Sequence, residues 1–356
     1  MEDTTPKYIL VENHIKDQIK QKKLTDKLPG ERMLASELGF SYMTIRKAIE
    51  NLVNDGILYK VPTKGTYVAD RKKQKLKTRT IGYFLDSSIE AGLTSPYYSM
   101  IFNALEKEAA KHDYTLVYFT DSETVKLNKI LKKLDGVIAS CFYRIESYIQ
   151  RIKDSVPVVV IDNSASDKSI PSVIIDNFSA LTDTIDYLCA IGHQRIGFMT
   201  GLEDSDVGKN RFEGYKTGLH KHNLVVDDEL VFRGNYSFAS GVDGAEYFIS
   251  LDSQPTAIVC ANDSMALGAM TKLHESDFKV PEDFSVIGFD DIEVASQIIP
   301  PLTTVSAPAD DIAAKAFAML KTMIEGKNPQ NQHVALSTEL VVRQSSAPPN
   351  HSIEAA

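Results

Sequence analysis

The chain has 356 residues, three cysteines and a formal net charge of −9. That length exceeds one ordinary domain and carries enough apolar residue to bury a core in each of two. Cys141, Cys189 and Cys260 are few, odd in number and far apart, which excludes a disulfide framework or a zinc-ligand spacing. They read as small buried apolar residues in a reducing compartment. The opening turn carries Glu2 and Asp3 instead of a signal-peptide pattern, and no apolar run approaches membrane-spanning length. The expectation is a cytoplasmic protein with no membrane partner.

The net charge hides an asymmetry. Residues 1–79 hold 17 Lys and Arg against 10 Asp and Glu, whereas the rest of the chain holds 22 against 38. A basic segment joined to an acidic one points to a polyanion partner for the first alone.

In chain order, Tyr8, Val11, Ile15 and Ile19 recur at helical spacing, so residues 7–22 are expected to form one amphipathic helix. A Leu-Pro-Gly break at 28–30 follows. A second helix then passes through Met33, Leu34 and Leu38 and stops at Gly39. Ser41 can cap a third helix, whose Ile45, Ala48, Ile49, Leu52 and Val53 fall on one face before Gly56. That face leaves Tyr42, Met43, Thr44, Arg46 and Lys47 clustered near the helix start. Two β-prone runs, 57–61 and 66–69, flank Pro62-Thr63-Lys64-Gly65 as a hairpin. Three helices and a hairpin make a winged helix-turn-helix. In such a unit an Arg fork at an exposed helix start reads guanine in the major groove, the role open to Arg46. Lys64 supplies charge at a wing tip where Gly65 lets the backbone approach phosphate. Arg46 could instead pair with Glu50 one turn on, and Arg32 with Glu31 or Glu37.

The stretches L-P-G-E-R, S-Y-M-T-I-R-K-A-I, L-V-N-D-G-I-L and K-G-T-Y-V closely resemble the DNA-binding domain of GntR-type regulators, without a gap over residues 7–69. The resemblance implies that Arg32, Ser41, Thr44 and Arg46 contact DNA, with Gly65 at the wing tip. Tyr42 departs from it, because many members carry a basic residue there, so the operator sequence does not carry over. The candidate DNA-binding set is Arg32, Ser41, Tyr42, Thr44, Arg46, Lys47, Lys64 and Gly65. Residues 1–70 form this domain, and 71–79 are a linker in which Arg71, Lys72, Lys73, Lys75 and Lys77 carry too much like charge to pack.

From Thr80 to residue 356, short apolar runs alternate with helical stretches: 81–85, 116–119, 136–139, 156–161, 196–200, 257–260 and 286–289. The pattern is α/β, with parallel sheets flanked by helices, and seven or more strands fit two lobes better than one. Ligands in such folds sit beyond the carboxyl ends of the strands. The polar residues directly after the runs are therefore cleft candidates: Asp86 and Ser87, Asp162, Asn262 and Asp263, Asp290 and Asp291. Carboxylates and amides suit the hydroxyls of a neutral polyol better than an anion. The competing role for each aspartate is to cap the next helix, as expected of Asp263.

This half resembles the LacI family, whose effector domain has the two-lobed type I periplasmic-binding-protein fold. The matching stretches are S-P-Y-Y from Ser95, V-P-V-V-V-I-D from Val156, I-G-H-Q-R-I-G-F from Ile191 and R-F-E-G-Y from Arg211. They continue with A-N-D-S-M-A-L-G-A-M from Ala261, V-P-E-D-F-S-V-I-G-F-D-D from Val280 and P-P-L-T-T-V from Pro300. By that resemblance Arg211, Asn262 and Asp290 would hydrogen-bond a ligand, with Asp162 across the cleft, Tyr236 packing against it and Tyr97 and Tyr98 facing it. For the tyrosines, core packing remains open. The candidate ligand set is Ser87, Tyr97, Tyr98, Asp162, Arg211, Tyr236, Asn262 and Asp290.

A GntR-type reader joined to a LacI-type sensor is similar to AraR-type arabinose-utilisation repressors. It implies a homodimeric transcriptional repressor of carbohydrate-utilisation genes, bound to a near-palindromic operator and controlled by a small sugar between the lobes. Two alternatives stay open: a corepressor-type regulator answering a purine or phosphorylated ligand, and a sugar-binding transport component, which would require export. His220 and His222 do not share a helix face, His193 precedes a strand, and no G-x-S-x-G, P-loop or metal-spaced cluster is present. No enzymatic role, metal or cofactor is expected.

Overall fold

The computed structural model describes residues 6–350 apart from 22, 56, 62, 63, 69–77, 88, 90, 122–126, 141–145 and 203. Two compact units divide the chain, residues 1–77 and 78–356. Pro62, Thr63 and the expected linker at 71–77 lie outside the described residues, as does Cys141.

Helical spacing of apolar residues builds the first unit. Helices α1 (Lys7–Lys20), α2 (Glu31–Leu38) and α3 (Tyr42–Asn54) precede strands β1 (Leu58–Val61) and β2 (Gly65–Val68). Ile45, Ala48, Ile49 and Leu52 of α3 are fully buried against Val11 and Ile15 of α1. The Asn51 amide donates to the Glu12 carboxylate at 2.7 Å and ties the same two helices. Gly39 closes α2 at φ +68, a conformation that costs a glycine little. Strands β1 and β2 pair antiparallel, with Tyr59 opposite Tyr67 and their rings stacked at 5.5 Å. The break before α2 is not idle: Val68 N–H donates to Asp26 O at 2.7 Å and Leu28 N–H to Thr66 O at 2.8 Å, so residues 26–28 edge the wing.

In the second unit, β3 (Thr80–Leu85), α4 (Pro96–Ala110), β4 (Thr115–Phe119), α5 (Leu127–Leu131), β5 (Gly136–Ser140), α6 (Glu146–Ser155), β6 (Val158–Ile161) and β7 (Ser172–Ile175) begin the first lobe. The chain then enters the second lobe with α7 (Asn177–Ala190), β8 (Ile196–Met199), α8 (Asp206–Lys221), β9 (Val231–Phe232) and α9 (Phe238–Ile249). It continues through β10 (Ala257–Cys260), α10 (Asp263–Glu275), β11 (Ser285–Asp290) and β12 (Thr303–Ser306). Helix α11 (Ala309–Ile324) and β13 (His333–Leu336) return to the first lobe, and β14 (Glu339–Val341) ends in the second. The sheets run β13-β7-β6-β5-β3-β4 and β14-β12-β11-β10-β8-β9. Every neighbouring pair in them is parallel except β12 and β14. Parallel central strands are covered on both faces, which is why β5, β6, β8 and β10 are buried throughout.

Two expectations are corrected. The linker was expected to run through Arg79, but Thr78 and Arg79 belong to the second unit because the buried Asp135 carboxylate accepts from both their backbone N–H groups at 2.9 Å. Of the cysteines, Cys260 is buried but Cys189 is only half-buried.

Replacing Ile49 with alanine is expected to destabilise the first unit by about 2–5 kcal/mol through the cavity left in α3. Calorimetry should show the transition of residues 1–77 moving down while that of 78–356 stays in place; a shift of both would mean the units do not unfold independently.

Candidate functional site

The start of α3 presents a polar, uncovered face. Ser41, Tyr42, Arg46 and Lys47 are exposed and Thr44 is half-buried. Ser41 caps the helix as its position requires: its hydroxyl accepts from Thr44 N–H at 3.1 Å and meets the Thr44 hydroxyl at 2.8 Å. Arg46 Nε donates to Glu50 at 3.0 Å in the pairing the sequence had left open, and this ion pair is half-exposed on both sides. An exposed i,i+4 pair is screened and weak, so it does not bar the guanidinium from another partner. The Lys47 ammonium sits 4.5 Å above the Tyr8 ring of α1. Arg32 is exposed on α2, and Glu31, one of its two candidate partners, is taken by Lys60 at 3.3 Å. Lys64 and Gly65 are exposed at the wing, where Gly65 has φ +120. A side chain at 65 would come within 2.9 Å of the Lys27 stem, a lysine that the sequence had not singled out.

In the second unit the strand ends and helix starts of the two lobes surround a cleft of about 590 Å³. Tyr97 and Tyr98 at the start of α4, Asp162 after β6, Arg211 on α8, Tyr236, Asn262 and Asp290 all line it. Ser87 does not: it is exposed, with its N–H donating to Asp121 at 2.8 Å. The other strand-end candidates are committed elsewhere. Asp86 is buried outside the lining, and Asp291 pairs with Arg343 at 2.6 Å. Asp263 is not the cap of α10. Asn262 is, accepting from Met265 N–H at 2.9 Å, while buried Asp263 accepts from Ile292 N–H at 2.9 Å and the Thr304 hydroxyl at 2.5 Å.

Arg211 organises the floor. Its Nε donates to Asn177 at 2.8 Å, one Nη to the Ala261 carbonyl, and the other lies 4.0 Å from Asp290. The guanidinium lies 3.5 Å over the Phe289 ring. Opposite, the Tyr97 hydroxyl donates to Asp162 Oδ1 at 2.5 Å, leaving Asp162 Oδ2 buried with no partner. Burial raises the Asp162 carboxyl against the pull of Tyr97, Ser140 and Arg211, and raises Asp290 well above the ordinary carboxylate range despite Arg211. Backbone strain gathers at the same place. Asp162 has φ +69, Tyr236 φ +69 and Asp290 φ +113, and strained residues of this kind concentrate where a ligand is held. Tyr236 also lies so close to Gly201 that a Cβ there would fall 1.9 Å from the ring.

Residues 185–346 match the periplasmic binding protein-like domain, and residues 7–68 match the bacterial regulatory proteins of the gntR family. The chain is 30% identical over 260 residues to the HTH-type transcriptional repressor CytR of Escherichia coli K12, covering 71% of this chain and 76% of that protein. It is 31% identical over 277 residues to catabolite control protein A of Priestia megaterium, covering 76% and 82%. A sugar-binding LacI-family transcriptional regulator from Escherichia coli, solved in complex with phosphate, superposes with a TM-score of 0.64 at 28% identity over 77% of this chain and all of that one. The chain belongs to the LacI family of transcriptional repressors.

In this repressor the amino-terminal reader is of the gntR type, as the sequence motifs imply. Among the cleft residues that the sequence did not nominate are Asn177, Asn235 and Phe238. Asn177 follows β7, which opens on Ser172 and so offers only three consecutive apolar residues; Asn235 and Phe238 flank an irregular segment. The Asp-Asn pair at 176–177, just after S-V-I-I, was the available signal.

The buried carboxyls make the repressor's stability depend on pH. Between the ordinary carboxylate value and its raised one, Asp290 keeps in the folded state a proton that the unfolded chain has released, so stability is lost as pH rises through that window. Asp263, pushed up by burial to about 7, acts in the same direction. Asp290→Asn is therefore expected to raise the thermal midpoint of the unliganded protein at pH 8 by more than at pH 5, by a few degrees at about 2–4 °C per kcal/mol. An equal or opposite shift at the two pH values would refute the assignment.

Proposed function

We propose that the protein is a cytoplasmic, homodimeric repressor of carbohydrate-utilisation genes whose operator affinity is set by a neutral sugar held between the lobes of the second unit. The charge of the cleft carries this reading. Arg211 is the one base among its described lining residues, beside the buried carboxyls of Asp162 and Asp290. It is already engaged by Asn177, Ala261 and Asp290, so a phosphate or carboxylate entering would find no uncommitted cation. Hydroxyl donors answer the free Asp162 oxygen, and Tyr97, Tyr98 and Tyr236 supply aromatic walls for a pyranose or furanose face.

At the other unit, Arg46 at the start of α3 would read a base edge, with Ser41, Tyr42, Thr44 and Lys47 beside it, Arg32 on phosphate, and Lys64 with Gly65 at the wing. Two copies would occupy the halves of a near-palindromic site. Ligand would act by its differential affinity for the operator-bound and free states.

Arg46→Ala is expected to abolish specific operator binding while leaving sugar affinity within twofold; Asp290→Ala is expected to do the reverse. Mobility-shift titrations and calorimetry on both variants test this. Defects that fail to separate would sink the two-site reading. In a thermal-shift series, D-galactose should raise the midpoint more than D-galacturonate, and D-ribose more than ribose 5-phosphate. Preference for the charged member of each pair would remove the neutral-sugar assignment.

A further inference from the structure

At the strand amino ends of the first lobe, opposite the carboxyl-end rim that lines the cleft, lies a joint that the sugar-sensing reading does not use. Chain enters this unit at Thr78, ten residues after the end of β2, and is seized at once. Asp135, buried at the start of β5, accepts three hydrogen bonds: from Thr78 N–H at 2.9 Å, the Thr78 hydroxyl at 3.1 Å and Arg79 N–H at 2.9 Å. Arg79 is held at φ +52, an uncommon conformation for a residue with a side chain. Its guanidinium lies 5.3 Å over the Tyr114 ring and donates to the His112 carbonyl at 3.4 Å, and its own carbonyl accepts from Thr115 N–H at 2.7 Å. Among the described residues, these partners of Arg79, apart from Asp135, thus lie in the few residues after α4.

Helix α4 joins that point to the cleft. Its first turn carries Tyr97 and Tyr98 into the lining, and Tyr97 bonds Asp162. Its last residue is Ala110, two before His112. Fifteen residues at 1.5 Å each make an unbroken rod of about 22 Å. A second element converges on the same spot. The His112 ring stacks on Phe317 of α11 at 4.9 Å and 5°, and the Lys321 ammonium lies 3.2 Å from His112 Nδ1. Helix α11 begins directly after the second crossing between the lobes. The joint is therefore touched by one helix that starts in the cleft and by another that starts at the hinge.

We propose that Asp135 and Arg79 are positioning residues that couple the cleft to the DNA-binding unit. A shift of α4 or α11 on ligand binding moves His112 and Tyr114, and with them the point from which the basic tether departs. Asp135 locks that point to the sheet, so that the tether root follows the lobe and does not swivel on it. This rests on the sugar-controlled repressor reading above, but neither residue touches ligand or DNA in that reading.

The test uses the full chain, a duplex enriched by that chain from a randomised library, and whichever of L-arabinose, D-ribose, D-galactose or cellobiose raises its thermal midpoint most. Operator affinity is measured with and without the sugar for wild type, Asp135→Asn and Arg79→Gly. Glycine accommodates φ +52 while removing the guanidinium, so Arg79→Gly keeps the fold if Asp135→Asn does not. Expected is a sugar affinity within twofold of wild type, sugar-free operator affinity within about threefold, and a ratio of the two operator affinities falling to below one-third of its wild-type value. A merely structural role would lower the melting temperature and leave that ratio alone. A ratio that survives Arg79→Gly, in a folded variant that binds sugar normally, overturns the joint and leaves the repressor reading standing. A wild-type chain that none of the four sugars stabilises removes the sugar reading, and the coupling with it.

Discussion

A guanidinium cannot be buried without acceptors on every side, and the second unit is organised around meeting that demand at Arg211. Its five N–H groups are fixed in a plane and its charge is permanent. Removed from water, it needs partners from several directions, and the partners it finds come from three separate chain segments. Asn177 opens α7 at the first crossing between lobes, Ala261 follows β10, and Asp290 ends β11 directly after Phe289, over whose ring the guanidinium lies. The cation thereby fixes the relative placement of a helix start and two strand ends. Asp290 in turn is tolerable as a buried acid because Arg211 lies near it, yet at 4.0 Å the two are not locked in a bidentate pair. Incomplete mutual satisfaction leaves donor and acceptor capacity facing the cleft, which is what a polyhydroxylated ligand can complete.

The remaining site features follow from parallel topology. A parallel strand must be followed by a crossover, and here the crossovers are helices, so strand carboxyl ends and helix amino ends collect on one rim. That rim receives Asp162 from β6, Asn262 from β10 and Asp290 from β11, together with the first turns of α4, α9 and α10. The two lobes face each other across it because the chain crosses three times, at the ends of β7, β12 and β13. Strain is concentrated there: the left-handed backbones at Asp162, Tyr236 and Asp290 aim side chains that ordinary strand-to-helix turns would direct elsewhere. Gly201 contributes by omission, since the Tyr236 ring occupies the space a side chain at 201 would need.

How legible this was depended on whether a residue's fate was decided locally. The spacing of Ile45, Ala48, Ile49 and Leu52 locates α3 because one face of that helix supplies four of the nine buried residues of a small core. The uninterrupted apolar runs of β3, β5, β10 and β11 appear because strands covered on both faces need no alternation. Strand β12, by contrast, reads T-T-V-S. Thr303 and Thr304 are fully buried, which succeeds only because their hydroxyls find Ser346 and Asp263 from distant parts of the chain. Strands β13 and β14 are short edge segments whose partners lie some 35 to 160 residues earlier. The same division holds in the site. Strand-end position nominated Asp162, Asn262 and Asp290, but it could not say that Asp263 would be drawn inward by Ile292 and Thr304, leaving Asn262 as the cap. Nor could it separate Ser87, carried away from the cleft on a turn, from its neighbours.

The partition of charge adds a constraint that neither unit shows alone. Residues 1–79 carry a surplus of seven positive charges and the remainder a surplus of sixteen negative ones. Phosphates attract the first and repel the second, so a duplex is offered one favourable half of the chain, and nonspecific approach by the effector half is disfavoured. The five basic residues at 71–77 lie between the two signs. Their attraction to phosphate is the same whatever the cleft contains, so by itself it would dilute any response to ligand: a contribution equal in both states shifts nothing. On the proposal above, a ligand changes operator affinity by altering where the chain enters the second unit at Thr78, a point on which that attraction and the proposed base contacts of α3 would both depend. The chain places at that point a buried carboxylate, a left-handed arginine and the end of a helix rooted in the cleft, and a tether that only needed to be long would require none of them.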